Sequence, residues 1–212
     1  ADVDADSQNI TAETVAPVLT ARTRAILAVH LAGWPCEMDD LNALAKDRGL
    51  HVVEDCAQAH GAAYRGKPVG NLGDIGAWSF CQDKIMTTAG EGGMVTTDNA
   101  DWWSAMWSYK DHGKSYNAVY NRKHQPGFRW VHDGFGTNWR LPEIQSAIGL
   151  CQLTRMENWH EARTRNANAI LDAARNSPVL RIPDIPAHIR HAWYKFYAFI
   201  RPEALRDDWS RD

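Results

Sequence analysis

Two short stretches carry side chains able to do covalent chemistry. Glu54-Asp55 closes the apolar run His51-Val52-Val53. Lys84 follows in Ser79-Phe80-Cys81-Gln82-Asp83-Lys84, just ahead of the glycine-rich turn Ala89-Gly90-Glu91-Gly92-Gly93. A lysine amine can form a Schiff base with a carbonyl, an acid can pair with a ring nitrogen, and a short hydroxyl with flexible backbone can hold a phosphate. All three types fall between Glu54 and Gly93. Taken singly, each has a plainer role: a strand-end aspartate most often caps the next turn, here through Ala57 and Gln58, and a lysine beside turn glycines is most often solvated. The combination is what points to a carbonyl cofactor.

The elements that must position these groups are legible in the periodicity. Arg24 to Val29 is a short, partly β-branched apolar run that fits a buried strand, followed by the turn Gly33-Trp34-Pro35. Met38, Leu41, Leu44 and Ala45 then fall at helical spacing, with acids in the first turn and Gly49 placed to end the helix in a left-handed cap. His51 to Asp55 is again a strand, so strand, helix, strand recur within the length of a βαβ unit. In such sheets ligands collect at the carboxyl ends of the strands, which is where Asp55 sits. Further strands are expected at Ile75 to Phe80 and Gly93 to Thr97. A Trp-rich helix follows from Asp101 to His112, capped by Asn99 or Asp101, and then a long loop from Gly113 to Asn138. From Leu141 to about Ala174 one long helix is expected, opened by Pro142 and carrying Ile144, Ile148, Leu150, Leu153, Met156 and Trp159 along one side. After Pro178, Val179 to Ile182 and Trp193 to Ile200 read as strands of a second unit.

The composition excludes several classes. Two hundred and twelve residues, 44% hydrophobic and 23% charged, describe a globular chain that can bury a core. With 23 Lys plus Arg against 26 Asp plus Glu, there is no basic field for nucleic acid. No apolar run approaches a membrane span, and the acidic start, Ala1 to Gln8, is unlike a signal peptide, so a cytoplasmic location is expected. Cys36, Cys56, Cys81 and Cys151 lack any C-x-x-C pairing and read as reduced thiols. His60, His112 and His132 show no ligand spacing, and no metal is expected. Trp102, Trp103 and Trp107 read as core or dimer contacts rather than a stacking platform.

Three ordered motifs carry a resemblance. Residues 29–80 (VHLAGWPCEMDDLNALAKDRGLHVVEDCAQAHGAAYRGKPVGNLGDIGAWSF), 79–97 (SFCQDKIMTTAGEGGMVTT) and 136–153 (GTNWRLPEIQSAIGLCQL) bring E-D-x-A-Q, S-F-x-x-x-K and G-x-N-x-R-L together in order. Over nearly its whole length the chain resembles the pyridoxal 5'-phosphate (PLP)-dependent nucleotide-sugar aminotransferases, the DegT-type group of fold-type I enzymes. The resemblance implies an α/β fold with a mostly parallel sheet and flanking helices, in which residues 1–150 belong to a large PLP-binding domain, 151–178 form a long linking helix and 179–212 begin a small C-terminal domain.

Position by position, the resemblance implies that Lys84 is the Schiff-base lysine and moves a proton between substrate carbon and cofactor. It implies that Asp55 pairs with the pyridine nitrogen, Gln58 lies against the ring and its 3-hydroxyl, and Ser79 holds the phosphate. Asn138 matches an asparagine that reaches the partner's cofactor phosphate, implying a homodimer with shared active sites. Arg140 could help with an anionic group, although a helix-start arginine is as often structural. Some relatives carry histidine at the lysine position and remove a sugar hydroxyl. This chain keeps lysine, so transamination is implied, with glutamate the donor and a keto sugar on a nucleotide the acceptor, for surface polysaccharide or antibiotic sugars.

Family members are longer, with a preceding phosphate-binding turn and a complete small domain, so the chain reads as an internal, N-terminally truncated piece. The missing turn would remove several hydrogen bonds to a charged group, each about 1.5–3 kcal/mol, so this piece on its own is not assured of activity. Two other readings stay open: a non-catalytic regulatory or scaffold homologue, against which the retained Lys84 and Asp55 argue, and a PLP enzyme acting on a cyclitol or an aromatic precursor.

Overall fold

The computed structural model describes residues 1–210. Its centre is a four-stranded sheet in the order β1-β2-β5-β6, formed by β1 (Ala25–Val29), β2 (His51–Asp55), β5 (Ile75–Ser79) and β6 (Gly93–Thr96). The first three strands are parallel and β6 is antiparallel to β5. Helix α2 (Met38–Arg48) makes the crossover from β1 to β2 and ends at Gly49 in the left-handed conformation, φ 62°. There the glycine N–H reaches the carbonyls of Ala45 and Lys46, which satisfies the helix end at no Cβ cost. Met38, Leu41 and Ala45 bury one face of α2 against Ile26, Ala28 and Val52. This packing on one side of the sheet is the main core.

The short helix α1 (Ala12–Val15), which the sequence did not announce, opens with a capping box between Thr11 and Thr14. A small antiparallel sheet, β4-β3-β8, joins β3 (Ala63–Tyr64) and β4 (Lys67–Pro68) to β8 (Ile189–Arg190), and β7 (Leu180–Arg181) pairs with β9 (Phe199–Ile200). Strand structure after Pro178 is therefore much shorter than the two runs expected: Trp193 to Ala198 lies outside any strand, and its backbone instead docks on the turn after β1.

The helical pattern from Leu141 onward divides in two. α4 (Glu143–Leu153) opens after Pro142, and α5 (Met156–Arg175) follows a break at Thr154-Arg155. Only Gly149 of α4 is buried, and Ile144, Leu150 and Leu153 are exposed, so the apolar stripe expected to pack is open. The Trp-rich helix α3 (Ala100–Lys110) starts as expected, with Asn99 accepting from the N–H groups of Asp101 and Trp102. None of its residues is buried; Trp103 and Trp107 meet Tyr116 at 5.2 and 5.1 Å between ring centres instead of entering the core. The loop that follows holds a single π-helical turn, Asn117–Asn121. Among the described residues no helix is long and apolar enough to cross a membrane.

Candidate active site

Strand β2 alternates, and so it separates its two terminal acids. Val52 and Glu54 are buried on the α2 side, while Val53 and Asp55 face the other way and are half-buried. In the sheet register Asp55 stands beside Val29 on β1 and Ala77 on β5. Ser79 is two residues beyond Ala77, so Asp55 and Ser79 project from the same face, at the carboxyl ends of adjacent parallel strands.

Asp55 Oδ1 accepts a 2.9 Å hydrogen bond from the N–H of Ala57, the turn-capping contact that a strand-end aspartate commonly makes. Oδ2 takes no hydrogen bond from the described residues. Three residues on, Gln58 Oε1 accepts from the N–H of Ala32 at 2.7 Å. This ties the Gln58 side chain to the turn after β1, where Ala32 itself has φ 58°. Ser79 Oγ accepts from the N–H of Cys81 at 3.3 Å, and so its own O–H remains available as a donor.

Lys84 rides on the loop leaving β5. That loop is closed at its neck, where the Phe80 N–H donates to Gly92 O (2.7 Å) and the Thr88 N–H to Phe80 O (3.2 Å), with Ala89 and Gly90 at positive φ in the glycine-rich turn. The Lys84 side chain is largely shielded, 16% exposed, with Nζ 3.8 Å from Asp83 Oδ1 and 5.3 Å from the centre of the Tyr194 ring. Asp83 is fixed in turn by Tyr194 Oη, which donates to Oδ2 at 2.7 Å. Tyr194 belongs to the segment just before β9, whose backbone binds the turn after β1: the Tyr194 N–H donates to Ala32 O (3.0 Å) and the Ala192 N–H to Gly33 O (2.8 Å). Sequence reading did not find Tyr194, because nothing local links residue 194 to residue 84.

Glu54 is a structural anchor behind this face. Its Oε1 accepts from the N–H groups of Leu72 and Gly73, and its Oε2 from Gly70 N–H, each at 2.7 Å. His30 Nε2 lies 3.0 Å from Oε2, and His30 Nδ1 accepts from the Cys36 N–H, which leaves the proton on Nε2. Burial works to raise the Glu54 pKa, but the hydrogen bonds from His30, Gly73 and Gly70 outweigh it and hold the carboxyl below its ordinary value. His30, Glu54 and Cys56 place potential metal-ligand atoms within 4.8 Å of one another, yet the imidazole and carboxylate atoms are already engaged in these hydrogen bonds. Burial foremost, with Glu54 and Asp55 nearby, pushes the Cys56 thiol well up, and burial with Glu54 and Glu37 pushes Cys36 up to about 12. All four cysteines are free.

Asn138 and Arg140 form a second group on other elements. Asn138 bridges Asp111 in an antiparallel pair, and Arg140 Nε donates to Asn138 Oδ1 at 3.0 Å. Arg140 also lies 3.5 Å from the buried Asp111 carboxylate, which Lys114 and His112 each approach at 3.1 Å. Burial of Asp111 opposes ionisation, but the His112 and Lys114 hydrogen bonds and the Lys114 and Arg140 charges prevail and lower its pKa. Both Asn138 and Arg140 are exposed. Asp55 and Ser79 thus share a face at the ends of β2 and β5, Gln58 follows Asp55 on the turn tied to Ala32, Lys84 lies on the loop beyond Ser79 against Asp83 and Tyr194, and Asn138 with Arg140 forms a separate surface cluster.

The chain belongs to the DegT/DnrJ/EryC1/StrS aminotransferase family, whose model matches residues 1–210. Its fold is that of fold-type I aminotransferases. It superposes on an aminotransferase from Psychrobacter cryohalolentis with a TM-score of 0.97 and 54% identity, covering all of this chain and 55% of that one. GDP-perosamine synthase of Escherichia coli O157:H7 is 39% identical over 74% of this chain and 40% of its own length. GDP-4-keto-6-deoxy-D-mannose-3-dehydratase of E. coli, solved with bound hydrated PLP, aligns at a TM-score of 0.82 and 26% identity, over 96% of this chain and 54% of that one. The chain spans about half the length of the curated relatives it matches.

Proposed function

We propose that the protein is a PLP-dependent aminotransferase that moves an amino group from glutamate to a keto sugar carried on a nucleotide. The observation that carries this reading is the placement of Asp55 and Ser79 on one face of adjacent parallel strands, with the shielded Lys84 on the loop that leaves the second. Family membership and the sugar-nucleotide relatives support it. The donor set suits the cofactor: an amine, a carboxylate with one oxygen uncommitted, an amide and a hydroxyl with a free proton.

When bound, PLP supplies an electron sink for the carbanion left when a proton is removed from an amino-bearing carbon. Lys84 would hold the aldehyde carbon and, once released, carry the proton between substrate and cofactor carbons. Asp55, steadied by the Ala57 N–H on Oδ1, would present Oδ2 to the protonated ring nitrogen and keep it charged. Gln58, its Oε1 engaged by Ala32, would donate from Nε2 to the ring hydroxyl. Ser79 Oγ–H would donate to a phosphate oxygen. Asn138, on its exposed strand pair, would reach the phosphate of a second copy, making a homodimer with shared sites, and Arg140 would stand beside it toward an anionic group.

In this reading residues 1–150 are part of the cofactor-binding domain, residues 151–178 link the two units and residues 179–212 begin the small domain, in a cytoplasmic enzyme. Incubating a panel of keto-sugar nucleotides with nitrogen-labelled glutamate, with mass spectrometry of the products, tests it. An amino sugar carrying the label is expected. Loss of a sugar hydroxyl without label uptake, or no product with any of the panel, would reject transamination.

A further inference from the structure

The candidate lysine is gripped from outside its own loop, by a residue 110 positions away in sequence. Tyr194 makes three kinds of contact at once. Its ring lies under Lys84 Nζ at 5.3 Å, its hydroxyl binds Asp83, the neighbour of Lys84, at 2.7 Å, and its backbone N–H binds Ala32 O at 3.0 Å. Ala32 also donates to Gln58. A continuous chain of contacts therefore runs from Gln58 through Ala32 and Tyr194 to Asp83 and Lys84.

The junction is tight. Gly33 has φ +93°, and a Cβ built there would stand 2.8 Å from Ala192 Cβ and 3.0 Å from Gln58 O, so segment 192–195 is seated against the turn with no room for a side chain. The Tyr194 ring face attracts the ammonium electrostatically, and the phenol fixes the carboxylate on its other side.

From this we propose that Tyr194 is a positioning residue for Lys84: through its ring and through Asp83 it sets where the lysine amine points, coupling the segment after β8 to the reactive end of the sheet. The inference rests on the reading of Lys84 as the cofactor lysine only for its catalytic meaning; the positioning itself is testable without cofactor.

The experiment is competitive reductive methylation of the chain with limiting formaldehyde, with the extent at Lys84 read by peptide mass spectrometry and normalised to exposed Lys67. Tyr194→Phe keeps the ring but frees Asp83, and Tyr194→Leu removes both contacts. The normalised Lys84 rate is expected to rise about two- to five-fold in Tyr194→Leu, the span of one exposed cation–π contact, with a smaller rise in Tyr194→Phe. Lys84 rates equal to wild type in both variants would overturn the proposal. If Tyr194→Leu raises every lysine together, it has misfolded, and Tyr194→Phe decides alone. Adding PLP and following the visible band that borohydride bleaches gives the second readout: slower band formation in Tyr194→Phe is expected, and an unchanged rate counts against the proposal. A wild-type protein that forms no band defeats the cofactor reading while the methylation result still stands.

Discussion

Glu54 and His30 meet at 3.0 Å with neither side chain exposed to solvent, and the same carboxylate closes the 70–73 turn through three backbone N–H groups. The residue next to the proposed ring-nitrogen partner is thus a buried anion that fixes the end of β2 from behind.

Glu54→Gln tests that anchor. An amide NH2 would face the Gly70 N–H and the His30 Nε2–H, donor against donor, so the variant is expected to lose about 2–4 kcal/mol of stability in urea denaturation. A loss below about 0.5 kcal/mol would mean that the network does not hold the strand end.

How much of this arrangement the sequence discloses depends on the range of each interaction. β2 and α2 with its Gly49 cap are local patterns, and they appear where the periodicity places them. Asp55 and Ser79 are legible as types, but their sharing of a face follows from a register that pairs residue 55 with residue 77 across the sheet. Tyr194 is invisible in sequence because its meaning lies wholly in a long-range contact with Asp83 and Lys84. The RAILAV run reads as a buried strand, yet burial alternates along it and Leu27 is 58% exposed, on the face opposite Ile26 and Ala28. The α4 stripe misleads in the same way: Ile144, Leu150 and Leu153 have helical spacing but no described partner to bury them.

Acid should drain stability over two successive pH stages. Burial lowers His60, which sits between Trp78 and Phe80, to about 4, and it lowers His191, with the charge of His160 assisting, to about 3. Both ordinary values are 6.5, so the unfolded chain takes up protons first, and stability present above pH 6.5 drains away as pH falls toward those values. Glu54, lowered from 4.5, extends the loss below that pH. His60→Phe should flatten the upper stage by on the order of 3 kcal/mol, measured as urea midpoints from pH 7 to pH 4. An unflattened profile would show that His60 does not carry this stage.

Gly33→Ala should be disproportionately costly, about 1–3 kcal/mol, because it combines a positive φ with a clash against Ala192 and Gln58. The damage should also be local, seen as faster proteolytic cleavage after residue 192. Unchanged cleavage there would indicate that the segment is not seated on this turn.

Asp55→Asn separates fold from chemistry. An asparagine oxygen can still accept from the Ala57 N–H, so the thermal midpoint should hold, whereas turnover in the full-length enzyme should fall at least about 100-fold as the ring nitrogen loses its counter-charge. Retained turnover would remove Asp55 from the chemistry.

The central claim is that Lys84 is the amine that takes the cofactor aldehyde, and borohydride trapping tests it most directly. The chain is mixed with PLP, reduced, digested and mapped by mass spectrometry. The account predicts a phosphopyridoxyl group on Lys84 well above the level on Lys67, Lys110 or Lys195, and loss of the borohydride-sensitive visible band in Lys84→Ala. Labelling of Lys84 no greater than that of the other lysines, or a band that survives Lys84→Ala, would contradict it.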